Sequence, residues 1–268
     1  MMELLEFSFM QRAILAALLV SIISGVIGSL VVINRMSFIA GGVAHGAYGG
    51  VGLAIFFGFS PLFGASFFAL ALGLSIAFLT QNDKRGLDAT IGAMWAFGMA
   101  FGIILLDLTP GYRSDLISYL FGSILAVSDD DLKFILSTLV LALIFVVLFY
   151  RQIVAVSFDA PFARLRGVKS GFIYYAIVAL VCLSVVAMIR VVGLILVIAL
   201  LTIPPFIAQS FSLRLGSMMA FSSFLAVIFC ALGLCLSVSY NLTSGASIIA
   251  VASVSFFIAS LFRKYRTS

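Results

Sequence analysis

The stretch MSFIAGGVAHGAYGGVGLAIFFGFSPLFGASFFALALGLSIAFLT, Met36–Thr80, contains no Asp, Glu, Lys or Arg. A helix needs about 20 apolar residues to cross a bilayer, so a charge-free run of this length predicts two transmembrane helices. We place the break between them at Phe57-Gly58-Phe59-Ser60-Pro61, because proline starts helices and disfavours helical geometry in the residue before it. This run therefore predicts a chain that crosses a membrane more than once.

The composition of the whole chain agrees with this reading. Its 268 residues are 64% hydrophobic and 9% charged, whereas a soluble domain is about half apolar and a quarter charged. We therefore expect residues 1–268 to form a single transmembrane domain, an all-α polytopic helical bundle. The three cysteines lie inside apolar stretches without zinc-site spacing, and we expect Cys182, Cys230 and Cys235 to be small core residues.

The charge-free runs give nine spans, with eight as the alternative. Their predicted ranges are 13–33, two spans within 36–80, 89–106, 134–150, 171–189, 191–209, 215–239 and 244–262. Pro204-Pro205 is expected to end or break the seventh span. In the outer loop, Asp115–Leu132 has apolar residues at helical spacing, which predicts a short amphipathic or re-entrant helix.

The basic residues predict the orientation of the spans. If the C-terminus is cytoplasmic, only Arg12, Arg113, Lys133 and Arg190 of the 15 Lys and Arg residues lie outside. Basic residues concentrate in cytoplasmic loops, so we expect an outer N-terminus and a cytoplasmic C-terminus. Asp107 and Arg190 lie at outer span ends, where they are solvated, form an ion pair or meet a partner protein.

The inner loop after the fifth span, RQIVAVSFDAPFARLRGVKS, predicts a short helix of its own. Asp159 is a good N-cap, Pro161 falls in the first turn, and Gly167 is a plausible C-cap. These residues bracket about two turns, which are not stable alone.

The apolar residues of this short helix need a neighbour. Phe158, Phe162 and Leu165 fall near one face. This face either lies on lipid headgroups as an interfacial anchor or fills a groove on a partner protein.

His45 is the only histidine of the chain and lies inside the second span. Ionisable groups in a membrane are costly and usually functional, and neutral imidazole is a common metal ligand. His45 therefore belongs to a transport pathway or makes a hydrogen bond between packed helices. Around it, Gly42, Gly46 and Gly50 form GxxxG pairs, which favour close helix packing or, alternatively, a looser pathway.

The order of these motifs resembles the permeases of zinc- and manganese-type ABC importers, which are distantly related to the cobalamin and ferric-siderophore importers. The matching segments are Arg35–Phe38 leading into Ala44-His45, Lys84–Gly86, Asp115–Ser128 with Tyr119–Gly122, Phe158–Val168, and Val192–Leu194 through Leu201 to Ile203-Pro204. Together these segments cover most of the chain.

The resemblance implies a permease that moves a divalent transition metal (zinc, manganese or iron) into the cytoplasm across the plasma (inner) membrane. It implies two cytoplasmic ATPase subunits, an extracytoplasmic metal-binding delivery protein and a second permease copy in a homodimer. No cofactor is expected apart from the transported ion. The resemblance also implies a coupling helix within 158–168 that meets the ATPase through Phe158, Asp159, Phe162, Ala163, Arg164, Leu165 and Gly167.

One position departs from the pattern of this family. Such permeases carry an Asp one helical turn before the histidine of the second span, and the pair binds the metal. Here that position is Gly41. The site is then completed by His45 of both copies, by Tyr48 or by carbonyls of a loosened Gly-rich helix, or high-affinity binding is absent.

No enzyme activity is expected, because the chain has no phosphate-binding loop, CxxC, HExxH or GxSxG motif. ATP would be hydrolysed on a separate subunit. The alternatives are a secondary metal or ion transporter, a channel without an ATPase, or a membrane scaffold. Secondary transporters usually carry midplane carboxylates or internal repeats, and the sequence shows neither.

The predicted orientation can be tested with single cysteines at Glu3 and Ser268 in a background that lacks the three native cysteines. We expect an impermeant thiol reagent to label the first from outside and the second only from the cytoplasmic side. Labelling of both positions from the same side would show that the span count is off by one.

Overall fold

The computed structural model describes residues 8–80, 86–110, 122, 124 and 127–267, with side chains at all of these except 8, 80 and 262–267. The described residues form helices and connecting turns. The helices are α1 (Ser8–Ile33), α2 (Ser37–Gly46), α3 (Tyr48–Phe57), α4 (Pro61–Thr80), α5 (Leu87–Asp107), α6 (Asp129–Phe158), α7 (Ala160–Leu165), α8 (Ser170–Gln209), α9 (Leu215–Tyr240) and α10 (Ser244–Thr267). The all-α fold is confirmed.

The charge-free run is divided where the sequence predicts. Helix α3 ends at Phe57, Gly58 takes the left-handed conformation with φ of 76°, and α4 begins at Pro61. Glycine adopts this conformation without steric cost, and proline at the first helical position loses no intrahelical hydrogen bond.

Eight segments of the described chain are long and apolar enough to cross a membrane. The difference from nine lies in α8, which contains both the predicted sixth and seventh spans. The boundary predicted at Arg190 is wrong, because the break occurs at Gly193, with φ of 76° and ψ of 165°. Arg190 does not end a helix, because arginine is a good helix former, and its side chain pairs with Asp131 at 3.4 Å. The amphipathic helix predicted within Asp115–Leu132 falls largely outside the described residues.

The structure divides into two compact units, which are described separately. The first contains Met1–Asn34, Ile117–Ile144 and Ala187–Ser268, and the second contains Arg35–Leu116 and Phe145–Val186. Helices α6 and α8 contribute residues to both.

In the first unit, ion pairs bring three chain segments to one end. Arg12 near the start of α1 pairs with Asp129 at the start of α6 at 3.0 Å, and Arg190 pairs with Asp131. Asp131 is 7% exposed and also accepts hydrogen bonds from the backbone N–H and hydroxyl of Ser128. These residues therefore lie at a common end, as the orientation predicted from the basic residues requires.

The two prolines of α8 do not end the helix, contrary to the sequence prediction, and α1 supplies a donor to one of the two carbonyls that they leave free. Proline lacks an N–H, so Pro204 and Pro205 leave the carbonyls four residues earlier, on Leu200 and Leu201, without their helical donors. Ser24 of α1 donates its hydroxyl to the Leu200 carbonyl at 2.9 Å. A polar side chain from a neighbouring helix thus replaces the missing hydrogen bond.

One turn further along α1, Gly28 brings the helix against the second proline. A Cβ atom at Gly28 would lie 2.7 Å from the Leu201 carbonyl oxygen and 2.8 Å from Cγ of Pro205. Ser24 and Gly28 thus form a small residue pair at i and i+4, which lets α1 and the end of α8 approach closely.

The second unit is held together by glycines. Gly50 of α3 contacts Gly64 of α4, and a Cβ at Gly98 of α5 would lie 2.7 Å from Cα of Gly46. Gly52 similarly faces Gly102. The GxxxG pairs of the second span therefore serve close helix packing, the first of the two interpretations.

The cysteine prediction is correct for two of the three residues. Cys182 and Cys230 are buried, whereas Cys235 is exposed on α9. An apolar sequence context does not imply burial in a membrane protein, because lipid solvates apolar side chains as well as a protein core does.

The close contact between α1 and α8 predicts that a helical glycine at this contact tolerates an added methyl group less well than a helical glycine in open space. Gly28→Ala should destabilise the protein by about 1–3 kcal/mol, because the methyl group meets backbone atoms that cannot move freely. Gly92→Ala is the control, since nothing lies within 4 Å of its added Cβ. Unfolding in detergent, followed by circular dichroism, measures both. Equal stability of the two variants would contradict the contact.

Candidate functional site

The second span tightens locally just after the candidate metal ligand. Helix α2 ends at Gly46 and α3 begins at Tyr48, with Ala47 between them. The amide of Gly50 donates to the Ala47 carbonyl at 3.0 Å, an i to i+3 bond that tightens the chain at this point. Ala47 keeps right-handed helical angles, φ of −57° and ψ of −22°, so α2 and α3 form one continuous span.

His45 lies in the last turn of α2, half-buried, with its ring against α5. The imidazole stacks on the Trp95 indole with ring centroids 4.2 Å apart and an interplanar angle of 10°. Its Nδ1 atom is buried and has no hydrogen-bond partner among the described residues. The hydrogen bond between packed helices, the alternative role for this histidine, is therefore absent on Nδ1.

One chain supplies few metal ligands at this site. Among the described residues, no group of three His, Cys, Asp or Glu side chains could hold an ion. Gly41 is half-buried one turn before His45 and offers no side-chain ligand. Tyr48, an alternative ligand, is 4% exposed and lies at the start of α3. The site in one chain thus consists of a single imidazole next to a tightened turn of its own span.

The short helix after α6 has the predicted caps. The Asp159 carboxylate accepts a hydrogen bond from the Phe162 amide at 3.0 Å, and Pro161 lies in the first turn. At the other end, Gly167 has φ of 79°, and the Val168 amide donates to the Ala163 carbonyl at 3.0 Å. This is a helix closed at both ends by its own sequence.

The same helix exposes apolar side chains and anchors itself through other residues. Phe158, Phe162 and Leu165 are 70%, 51% and 86% exposed, whereas Ala163 is buried. Arg164 donates from Nε to the Ser170 hydroxyl at 2.7 Å, at the first residue of α8. The capped helix and its exposed apolar residues are therefore confirmed, and their contact with an ATPase stays a prediction.

Comparison with known proteins identifies the family. A model described as the ABC 3 transport family matches residues 6–263, nearly the whole chain. The chain belongs to the ABC 3 transport family. This confirms the resemblance to metal-uptake ABC permeases.

Curated relatives of this ABC 3 permease match along almost all of its length. An uncharacterized membrane protein of Synechocystis is 47% identical, covering 98% of this chain and 94% of its own. The manganese transport system membrane protein MntC of Listeria monocytogenes is 33% identical, covering 97% of this chain and 92% of its own.

Solved structures share the fold of this ABC 3 permease. PsaBC from Streptococcus pneumoniae, solved in complex with a Fab, has a TM-score of 0.85 and 31% identity, covering 96% of this chain and 92% of that one. An inward-facing putative metal-chelate type ABC transporter has a TM-score of 0.75. At 18% identity over 97% of this chain and 88% of that one, the second likeness shows the fold alone.

Two features of this ABC 3 permease were missed by the sequence reading. Trp95 is the single tryptophan of the chain, but its neighbour His45 is separated from it by two helices in sequence. The tightened turn at Ala47 lies in a Gly-rich run and is marked by neither proline nor charge. The glycines of α5 could have indicated that α5 packs against the second span, since small residues spaced along two spans favour close packing of those spans.

Proposed function

We propose that this permease carries a divalent transition metal, manganese in the first place, into the cytoplasm as the membrane subunit of an ATP-driven importer. The observation that supports it best is the match, along nearly the whole chain, to manganese transport permeases at 32–35% identity. Zinc and iron are the other candidate cargo ions, because all three accept imidazole and oxygen ligands.

His45 is the residue through which we expect the ion to pass. An ion that crosses an apolar barrier sheds water and needs replacement ligands. With one imidazole per chain, the remaining ligands would come from His45 of a second copy, from backbone carbonyls of the Gly-rich span near Ala47, or from retained water. Such a site has no carboxylate from position 41 and would bind weakly, which suits release into the cytoplasm.

The exposed face of α7 is the proposed contact with a separate ATPase subunit. Phe158, Phe162 and Leu165 present apolar surface at the end that the basic residues predict to be cytoplasmic, and burial of this surface in a groove would be favourable. A delivery protein on the other side and a second permease copy complete the proposed importer. Family membership disfavours a secondary transporter or channel without an ATPase.

The role of His45 can be tested by metal uptake in a strain that lacks this chain and regains each variant, using a panel of manganese, zinc and iron. We expect His45→Ala to lower manganese uptake at least about tenfold, because losing a ligand costs at least as much as losing a residue that orients one. Gly41→Asp should raise metal affinity, since it restores a carboxylate one turn from the imidazole.

His45→Asn separates the two roles of this residue. Asparagine keeps a polar side chain for helix packing but supplies no imidazole. Loss of uptake in both variants, with normal expression, supports a ligand. Normal uptake by His45→Ala would mean that the pathway is lined by other groups.

The role of α7 can be tested by copurification of the ATPase. Phe162→Asp should weaken retention at least about tenfold, because an unpaired carboxylate in an apolar contact costs more than about 1.4 kcal/mol. Arg166 lies over the Phe162 ring, 5.2 Å from its centroid, and could neutralise the new charge, so Leu165→Asp is the second variant.

The control for this experiment is Phe211→Asp, which places the same charge at an aromatic residue that is 65% exposed in the turn between α8 and α9. It should retain the ATPase. Retention by both α7 variants, together with transport, would remove α7 as the coupling helix and leave it as a lipid anchor.

A further inference from the structure

The single histidine and the single tryptophan of the chain lie against each other in the second unit. The rings are nearly parallel, at 10° and 4.2 Å, so the indole covers one face of the imidazole. A flat neighbour at this distance restricts rotation of the histidine ring about its outer side-chain bond. The imidazole plane is therefore set by Trp95.

Metal-binding histidines usually obtain this restriction in another way. Their second ring nitrogen donates a hydrogen bond to a carboxylate, carbonyl or water, which fixes both the tautomer and the ring orientation. In this structure Nδ1 of His45 is buried without a hydrogen-bond partner in the described part of the chain. The usual orienting bond is thus missing on this nitrogen, and the indole stack takes its place.

The indole, which is 37% exposed, makes a contact within its own helix. Its Nε1 lies 3.1 Å from Sδ of Met99, one turn further along α5. The backbone of α5 is held against the second span at Gly98, which faces Gly46, the residue after His45. A backbone contact next to the two rings therefore holds together the helices that carry them.

We infer that Trp95 is the positioning residue of the transport site, which holds the His45 imidazole in the plane that offers Nε2 to the ion. Because Nδ1 is enclosed, Nε2 is the nitrogen left for a ligand bond, and the proton stays on Nδ1. This inference rests on the proposed function, in which His45 binds the cargo. Trp95 makes no bond to the ion and acts through the ring that it covers.

The kinetic test compares aromatic and aliphatic replacements in the manganese uptake assay. Trp95→Leu should raise KM for manganese about tenfold and change the maximal rate little. Loss of a residue that orients a metal ligand typically weakens metal affinity by at least about tenfold. Trp95→Phe keeps a flat ring and should stay within about twofold of the original KM. Phe97→Leu is the control, since it removes an aromatic residue of α5 that is 64% exposed.

The second test uses the fluorescence of Trp95, which is the only indole of the chain. In the full chain reconstituted in nanodiscs, paramagnetic Mn²⁺ bound at His45 should quench this emission saturably. His45→Ala should keep the emission and lose the saturable component. Quenching that rises linearly in both proteins would be collisional and would count against an ion beside the indole. This test does not depend on whether Trp95→Leu folds.

The outcomes separate the two proposals. If His45→Ala abolishes uptake and Trp95→Leu leaves KM unchanged, the positioning role is wrong and the transport site stands. If His45→Ala transports normally, His45 is not a ligand, and the positioning role of Trp95 is wrong with it. An equal rise of KM in Trp95→Phe and Trp95→Leu would show that indole volume, and not a flat ring, is what the site needs, and would overturn the inference.

Discussion

A backbone carbonyl without a donor is a serious cost in hydrocarbon, since no water is present to replace the missing hydrogen bond. Two adjacent prolines in α8 create this situation at Leu200 and Leu201, within a helix of 40 residues. The hydroxyl of Ser24 meets the first carbonyl, and the bare backbone of Gly28 lies against the second. Another helix thus carries two small residues at the matching height, and one of them supplies a hydrogen-bond donor.

Close packing of backbones also shapes the candidate site. Helix α3 is enclosed by α4 and α5, with glycine facing glycine across both contacts. Side chains of ordinary size would hold these helices further apart. Close approach of the backbones brings α5 near enough for its indole to cover the imidazole of α2. Backbone packing thus sets the chemistry of the only histidine.

The sequence was informative wherever a local signal decides the structure. The Gly58–Pro61 turn, the Asp159 cap and Gly167 all act within a few residues, and each was predicted. The sequence predictions were wrong or incomplete where residues far apart in the sequence come into contact. Arg190 stays inside a helix and pairs with Asp131, and Pro204 stays inside the same helix with Ser24 donating to the carbonyl that it leaves free. The pairing of His45 with Trp95 is of the same kind, since one sequence does not reveal which spans are neighbours.

The hydrogen bond from Arg164 to Ser170 has a mechanical consequence. It joins the last turn of α7 to the first residue of α8, and the Ser170 amide also donates to the Val168 carbonyl at 2.8 Å. The short connection between the two helices is therefore held by two hydrogen bonds, so a displacement of α7 would be passed to the first turn of α8.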